Sequence, residues 1–308
     1  MSWQKGLLNT SLRWMEKPHL ARVQSPVFLR RSADAKAAFW FHPPRGTRYS
    51  VKTIPTAAGD LPITQAVPPH AKAGRVLLYA HGGGYVFGSA RTHRALVAQI
   101  CARIGAVGML PDYRRAPEHI FPAAFDDLRA AYDHLLASGI KSENLLLAGD
   151  SAGGGLALGL LGDLLKRNHS LPAGVLALSP LTDMTFSGDS FIRNRHREAL
   201  LPAHRAREAA EMYLQGHDPT DPRVSPLLAD FRGAPPVYLA AGTTEILRDD
   251  SLRMAETLRA QGVRVVMELQ EDLPHVWPLF HGLLPEARQT LDRIAGWVKP
   301  LWTSAGGS

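Results

Sequence analysis

Short apolar runs alternate with longer stretches of helical spacing through most of this 308-residue chain. The apolar runs predict six buried strands, at 75–80, 106–113, 144–149, 174–180, 236–242 and 263–270. The stretches between them predict helices at 93–105, 122–139, 153–167, 250–262 and 286–302. Strands that alternate with helices in this way are typical of an α/β fold, in which helices cover both faces of a parallel sheet.

Two intervals depart from this rhythm. Residues 1–45 show patches of helical spacing and then a connection rich in Pro and Arg, and residues 183–233 carry helical segments without a strand of their own. An insertion at the carboxyl end of a strand often forms a lid or a substrate pocket. We therefore predict an N-terminal cap segment at 1–45, a core at 46–182 and 234–308, and a cap insertion at 183–233.

Composition and charge narrow the function classes. The chain has 35 Lys and Arg against 28 Asp and Glu, and much of the excess lies at 193–198 and 204–207. No nucleic-acid motif accompanies these basic runs, so we interpret them as solvated helix faces. Cys101 is the only cysteine and cannot form an internal disulfide. We find no metal-binding motif, no signal peptide and no apolar run of membrane-spanning length. These features predict a cytoplasmic protein without cofactor, nucleic-acid partner or stable membrane association.

One serine stands at a sharp turn between a predicted strand and a predicted helix. The residues are Gly149-Asp150-Ser151-Ala152-Gly153, and this context is what a nucleophile elbow requires. The small residues two before and two after Ser151 would permit the tight turn, and the helix N-terminus would favour developing negative charge. The alternatives are a glycine-rich turn with a chance serine, or a phosphate-binding loop. The second is disfavoured because neither GxGxxG nor GxxxxGK occurs.

Acyl transfer also needs hydrogen-bond donors for the oxygen that becomes negative. A glycine run follows the strand at 75–80 and begins with His81. We predict that the backbone amides of Gly83, Gly84 and Ala152 form this oxyanion hole, with His81 as a structural residue that braces the loop. A flexible glycine loop is the simpler reading.

A serine nucleophile needs a histidine, and the histidine needs a carboxylate to orient it. In α/β folds whose nucleophile stands on such an elbow, the three residues follow one another along the chain in the order Ser, acid, His. The serious histidine candidates after Ser151 are His204, His217, His275 and His281. His275 is favoured because it follows the last predicted strand, where a loop can reach back over the elbow. Glu245 is favoured as the acid because it is the first carboxylate after the strand at 236–242. Asp249 is the alternative, although Asp249 and Asp250 stand where they would cap the next helix.

Six segments together resemble the bacterial hormone-sensitive-lipase family (family IV) of α/β-hydrolase esterases. In chain order they read HGGGYVFGS, DYRRAPEHIFPAAFDD, GDSAGGGLA, SPLTD, DPRVSPLLAD and PHVWPLF. The resemblance implies an eight-stranded sheet with a helical cap and cofactor-free hydrolysis of short- to medium-chain carboxylic esters. It also implies that Ser151 is the nucleophile, that His275 is the base and that Gly83, Gly84 and Ala152 form the oxyanion hole.

The chain departs from that family at the acid. The family usually has Asp in an Asp-Pro-Leu-x-Asp setting, and aligning Leu247 and Asp249 places Glu245 at this position. The resemblance also implies that Asp112, Arg114 and Glu118 brace the core without reacting.

The prediction is therefore a carboxylesterase. Lactone, carbamate or amide hydrolysis by the same triad is an alternative. A second alternative is a ligand-binding protein such as the plant gibberellin receptors, which lack the working histidine. From their positions, we expect Tyr85, Phe87 and Trp277 to line the substrate pocket. Because relatives often associate through the last strand, we also expect a homodimer through the edge strand at 263–270.

Overall fold

The sheet is the organising element of the computed structural model, which describes residues 2–303. Within that range the sheet has eight strands in the order β1-β2-β4-β3-β5-β6-β7-β8. Strands β3 to β8 run parallel, and β2 is antiparallel to both of its neighbours. The strand bounds are β1 Arg48–Thr56, β2 Gly59–Val67, β3 Val76–Ala80, β4 Val107–Pro111, β5 Leu145–Asp150, β6 Gly174–Leu178, β7 Val237–Gly242 and β8 Val265–Gln270.

The six predicted strands are all present, but the hairpin of β1 and β2 was not predicted from the apolar pattern. In β1 only Ile54 is buried, so the strand lacks the continuous apolar run that marks a strand covered on both faces. Pro55 and Pro62 also lie within these two strands, where proline argues against a strand interior.

Ten α-helices surround the sheet within the described residues. Their bounds are α1 Trp3–Ser11, α2 Lys17–Arg22, α3 Pro26–Trp40, α4 Ala90–Ile104, α5 Ala123–Ala137, α6 Ala152–Lys166, α7 Asp189–Arg193, α8 Ala203–Leu214, α9 Arg248–Ala260 and α10 Pro285–Thr303. A π-helical turn at Leu12–Glu16 joins α1 to α2. None of these helices combines the length and the apolar character needed to cross a membrane.

The core forms two layers, one on each face of the sheet. Successive residues of β3 alternate between them, with Leu78 in the layer under α5, α6 and α9 and Leu77 in the layer under α4 and α10. This alternation is the period of two expected for a strand buried on both sides. Both layers consist largely of aliphatic side chains.

The interval 183–233 contains α7 and α8, and the structure shows no strand in it. The reading of residues 193–198 as a solvated helix face is wrong in part. Asn194 and Glu198 are buried, because their side chains bond to the backbone of the loop after β7. The arginines between them are exposed.

The carboxyl ends of four adjacent strands meet at one edge of the sheet. Asp150 of β5 pairs with Leu178 of β6, Leu178 with Ala240 of β7, and Ala240 with Glu268 of β8. The loops that follow these strands therefore emerge side by side, and they carry the predicted site residues.

Candidate active site

Ser151 occupies a strained turn between β5 and α6. Its backbone angles are φ 53° and ψ −124°, a region that residues with a side chain rarely adopt and that often marks a functional site. The Ser151 amide donates to Leu178 O at 2.8 Å, and the Ser151 carbonyl accepts from Gly155 N and Leu181 N. Three backbone hydrogen bonds thus hold the turn, and the serine is only half-buried.

The glycines that flank this turn are required by close backbone packing. A Cβ atom on Gly149 would overlap the carbonyl of Gly153, and a Cβ on Gly153 would overlap the carbonyl of Ala80. The structure thus gives the physical reason for the small residues two before and two after Ser151. The turn is built as a nucleophile elbow requires.

The glycine loop after β3 lies against the elbow. Gly83 and Gly84 have φ angles of 122° and 60°, and the Gly83 carbonyl accepts hydrogen bonds from Val86 N and Phe87 N. The amides of Gly83 and Gly84 donate to no other residue of the described chain. Ala152 is the first residue of α6, and amides in a first helical turn have no intrahelical acceptor. All three predicted donors are therefore available to a ligand.

Asp150, inside the elbow motif, ties the glycine loop to the sheet. Its Oδ1 accepts from Tyr79 OH at 2.8 Å and from Gly82 N at 3.0 Å, and its Oδ2 lies 3.2 Å from His93 Nε2. Burial opposes ionisation, but the charge and hydrogen bond of His93 and the hydrogen bond of Tyr79 lower the pKa of Asp150. We did not single out this residue from the sequence, although its place within Gly-Asp-Ser-Ala-Gly was a signal.

His81 makes the contacts of a structural residue. Its ring stacks on Tyr113 with centroids 4.1 Å apart, and its Nδ1 donates to Gly82 O at 2.9 Å. Burial, together with the nearby His93, lowers the pKa of His81 to about 3, so the ring is neutral. Tyr113 OH donates in turn to His81 O, which fixes the start of the glycine loop.

The structure brings Glu245 and His275 together. His275 Nδ1 donates to Glu245 Oε2 at 2.7 Å, and both side chains are almost wholly buried. The other oxygen, Glu245 Oε1, accepts from Ser179 Oγ at 2.9 Å and from Gly242 N at 2.5 Å. Ser179 Oγ also accepts from Val276 N, so Ser179 holds the acid and the histidine loop at once. The sequence did not point to Ser179.

The electrostatics of His275 suit a base. Burial disfavours the imidazolium, but the hydrogen bond and charge of Glu245, with smaller effects from Glu198 and Asp150, raise the pKa of His275. Its Nε2 is buried and bonds to no described residue, so Ser151 Oγ and Nε2 are not hydrogen-bonded in this conformation. Catalytic hydrogen bonds are often long in free enzymes and shorten when substrate binds.

The other candidates for acid and base lie elsewhere. Asp249 accepts from Ser190 N and from Arg248, and Asp250 accepts from Thr182 N and Asp183 N. Neither caps α9, which begins without a side-chain cap, so the predicted capping role is wrong. Both carboxylates instead tie α9 to the segment after β6. His281 bonds to Pro278 O and His42 O.

A second buried carboxylate, Glu198, was missed entirely from the sequence. Its Oε2 accepts from Ile246 N at 3.1 Å, directly after Glu245, and its Oε1 accepts from Leu200 N. Burial is the main cause that raises the pKa of Glu198, and the charge of Glu245 adds to it against the opposing His275. Asn194 also donates to Glu245 O at 2.8 Å. The segment 183–233 is thus hydrogen-bonded to the loop that carries Glu245.

The three residues expected to line a pocket have different surroundings. Tyr85 is buried and stacks on Tyr213 with centroids 3.9 Å apart. Phe87 is partly exposed beside the glycine loop. Trp277 is fully buried and donates from Nε1 to Thr290 in α10, which are the contacts of a core residue. Substrate contact by these residues remains a prediction, and the placement of Trp277 argues against it.

Comparison with known proteins identifies the class. The profile of a family with the α/β-hydrolase fold matches residues 77–279. An acetyl-hydrolase of Streptomyces hygroscopicus is 40% identical over 230 residues, covering 75% of this chain and 77% of that protein. An esterase of Acinetobacter venetianus is 35% identical over 238 residues, covering 77% and 78%. The crystal structure of an esterase from the bacterial hormone-sensitive-lipase family superposes with a TM-score of 0.89 at 34% identity, covering 98% of this chain and 99% of the other.

The chain therefore belongs to the α/β-hydrolase family and, within it, to the bacterial hormone-sensitive-lipase group of carboxylic ester hydrolases. The predicted fold class and the family resemblance are confirmed. The roles of the individual residues and the acyl chain length remain to be proposed.

Proposed function

We propose that this protein is a carboxylesterase that cleaves short- to medium-chain carboxylic esters, with Ser151 as nucleophile, His275 as general base and Glu245 as the acid. The observation that carries the proposal is the 2.7 Å hydrogen bond between His275 Nδ1 and buried Glu245. It fixes the tautomer in which Nε2 is free to accept a proton. The elbow serine, Ser151, has a positive φ and bonds through its amide to Leu178, whose neighbour Ser179 donates to Glu245.

The proposed reaction has two steps. His275 Nε2 takes the proton of Ser151 as Oγ attacks the ester carbonyl, and the oxyanion is stabilised by the amides of Gly83, Gly84 and Ala152. The imidazolium then protonates the leaving alcohol as the C–O bond breaks, which leaves an acyl-serine. Water, deprotonated by His275, attacks the acyl carbon and releases the carboxylic acid, and the proton returns to Ser151. No cofactor enters this scheme.

Two observations support our proposal that the preferred acyl chain is short to medium in length. The relative in Streptomyces hygroscopicus is named an acetyl-hydrolase, and the buried Tyr85 stacked on Tyr213 fills space near the elbow. We expect kcat/KM to be highest for acetyl to hexanoyl esters and to fall for long-chain esters. A series of p-nitrophenyl esters of increasing acyl length measures this directly.

We further propose that the helices of residues 1–45 and of 183–233 act as the cap. The support is their contact with the loops of the site. From the second interval Asn194 and Glu198 bond to the acid loop, and from the first Arg30 Nε donates to Val86 O in the glycine loop.

The test of the catalytic proposal compares the wild type with Ser151→Ala. An alkyl phosphonate should label the wild type at one residue and leave Ser151→Ala unlabelled, and the variant should lose ester hydrolysis by a factor of about 10⁴ or more. A protein that binds ligands without catalysis would resist labelling in both forms. Matched ester, lactone, carbamate and amide substrates would show whether another bond is preferred.

We also propose a homodimer that forms through the edge strand at 263–270. The support is that β8 pairs only with β7 within the described sheet and exposes Val266 and Leu269, and an exposed apolar edge favours strand pairing. Sedimentation velocity should show a dimer for the wild type and a monomer for Val266→Lys/Leu269→Lys. A monomeric wild type would contradict the proposal.

The cytoplasm is the proposed location. Its support is the single, buried Cys101, which fits a fold that forms without disulfides in a reducing compartment. Fractionation of the producing cells tests it.

A further inference from the structure

The first forty residues carry an unusual concentration of exposed apolar side chains. We call α1, the π-helical turn, α2 and α3 (residues 3–40) the N-terminal hairpin. Within the described chain fifteen large apolar residues are markedly exposed, and the hairpin holds eight of them. They are Trp3, Leu7, Trp14, Met15, Val27, Phe28, Phe39 and Trp40. Every exposed Trp and Phe in that set lies in the hairpin.

The hairpin does not need these side chains in order to pack on the core. Its inner side already buries Leu8, Leu12 and Leu29. Asn9 Nδ2 donates to Asp272 O at 2.9 Å, and Arg13 donates to Arg197 O at 3.0 Å. The inner side is therefore satisfied by the protein itself, and the exposed aromatic residues are not needed for this packing.

Contacts between α3 and the preceding helical segments bring exposed residues of α3 close to exposed residues of the π-helical turn. Lys36 of α3 forms an ion pair with Glu16 at 2.7 Å, and Ser32 lies 3.2 Å from His19. The His19 and Phe28 rings are 6.1 Å apart. Phe39 and Trp40 follow Lys36 by one helical turn, and Trp14 and Met15 directly precede Glu16, so these aromatic residues share one end of the hairpin.

The hairpin also carries a large positive net charge. Residues 1–40 contain seven Lys and Arg against two Asp and Glu, a net charge of +5. That is most of the net +7 of the whole chain. Arg22 and Arg31 are exposed. A second copy of the same surface would bring two such positive faces together, and their repulsion opposes self-association there.

A protein surface rich in exposed Trp and Arg is suited to binding the surface of an anionic membrane. Indole rings partition into the headgroup region, and basic side chains are attracted to the negative surface of anionic lipids. We propose that the N-terminal hairpin is a docking surface for anionic lipid bilayers, which the protein binds reversibly and peripherally. Such binding goes beyond the expectation of no stable membrane association, and it does not depend on the proposed ester hydrolysis.

The experiment uses the full-length protein and lipid vesicles. Co-sedimentation is measured with vesicles of phosphatidylcholine alone and with vesicles that also contain phosphatidylglycerol, at low and high salt. We expect binding to the anionic vesicles only, and weaker binding as salt rises. Brominated lipids should quench the wild-type tryptophan fluorescence, because Trp3, Trp14 and Trp40 lie in the contact.

Two pairs of variants localise the binding. Leu7→Ser/Trp14→Ser should weaken vesicle binding by about tenfold or more, whereas the control Val51→Ser/Leu228→Ser, at exposed apolar positions outside the hairpin, should not. Arg22→Glu/Arg31→Glu should weaken it similarly, and Lys141→Glu/Arg259→Glu, with the same change in net charge, should have little effect. All of these side chains are exposed, so folding should be unchanged.

Three outcomes would overturn the proposal. They are equal binding to neutral and anionic vesicles, equal losses in the hairpin variants and their controls, and no binding or quenching in the wild type. A change of oligomeric state in Leu7→Ser/Trp14→Ser without any vesicle binding would assign the surface to a second copy of the chain instead.

Discussion

Glu245 has no exposure to solvent, and three donors from different parts of the chain occupy its two oxygens. Ser179 reaches it from the end of β6, the Gly242 amide from the end of β7, and His275 from the loop after β8. A carboxylate held in this way cannot turn away from the imidazole. The ordering of the histidine therefore depends on where the sheet places three strand ends.

Substitution of Glu245, the proposed acid, tests whether this arrangement supports His275. Glu245→Gln removes the charge that helps raise the pKa of His275. Because the base must be neutral to accept the serine proton, activity rises with pH through that pKa. The acid limb of the kcat/KM profile should therefore move to lower pH in the variant. We expect kcat to fall by about 10³ to 10⁴.

The matched control is Asp249→Asn, which changes a carboxylate four residues away that contacts Ser190 and Arg248. The acid limb of the kcat/KM profile of Asp249→Asn should stay at the wild-type pH. If Asp249→Asn moves the limb and Glu245→Gln does not, then Asp249 is the acid.

Glu198 bonds to the loop that carries Glu245, and we expect it to act as a positioning residue for His275. It accepts from Ile246 N, and its charge helps raise the pKa of His275. Glu198→Gln should therefore move the acid limb to lower pH by less than Glu245→Gln does. Because His275 keeps its bond to Glu245, kcat should fall by no more than about tenfold. The pH profile of kcat/KM is the measurement.

The control for Glu198 is Glu208→Gln in α8, which removes a half-exposed acid of the same insertion that pairs with Arg205. If both variants leave the profile unchanged, Glu198 serves only to hold the loop. Nothing in the sequence marks Glu198, because it ends the polar run 193–198, whose composition indicates a solvated surface. Its burial follows only from the way the insertion folds back on the loop after β7.

At the scale of elements, the glycine loop depends on the N-terminal hairpin as well as on the sheet. Arg30 of α3 donates to Val86 O at 2.8 Å and to Ala116 O at 2.7 Å, and it forms a bidentate pair with Glu118. One planar guanidinium thus joins the hairpin, the loop that carries the proposed oxyanion donors, and the segment after β4. Lysine cannot make this set of bonds.

Arg30→Lys should therefore loosen the proposed oxyanion hole. We expect kcat to fall by about tenfold with little change in KM, because the donors act mainly on the transition state. Inhibition by a trifluoromethyl ketone, whose serine adduct carries an oxyanion, should weaken by a similar factor. The neighbouring exposed residue provides the control, Arg31→Lys. A change in KM alone, or equal effects in both variants, would contradict this role.

Elements with strong local signals were predictable from the sequence, and elements that depend on distant contacts were not. Five of the six parallel strands, β3 to β7, are buried almost throughout, so each is an apolar run. The β1 strand buries only Ile54 and has no such signal. Ser151, Gly83 and Gly84 were predictable because an elbow and a glycine loop have local sequence requirements. Ser179, Asn194 and Glu198 act through contacts with residues tens of positions away.

At the scale of the whole molecule, buried carboxylates couple folding to pH. Asp250 is fully buried where α9 meets the segment after β6. Burial and the nearby charge of Asp183 outweigh the hydrogen bonds from Thr182 N and Asp183 N and raise the pKa of Asp250 from 3.8 to about 7. Between these two values the folded protein holds a proton on Asp250 that the unfolded chain releases. This group therefore destabilises the folded form as pH rises from about 4 to about 7.

Asp250→Asn should remove that pH dependence, since asparagine resembles the protonated acid. Urea unfolding at about pH 5 and about pH 8 measures the free energy of unfolding of both proteins. Relative to the variant, the wild type should lose up to about 3 kcal/mol between the two conditions, because about two pH units separate pH 5 from the folded-state pKa of about 7. Carboxylates with lowered pKa that lie away from Asp250, such as Glu268, change stability in the opposite direction, but they are common to both proteins and cancel in the difference. The exposed Asp292→Asn should show no such difference. A wild type that gains stability relative to Asp250→Asn as pH rises would mean that Asp250 is ionised in the fold.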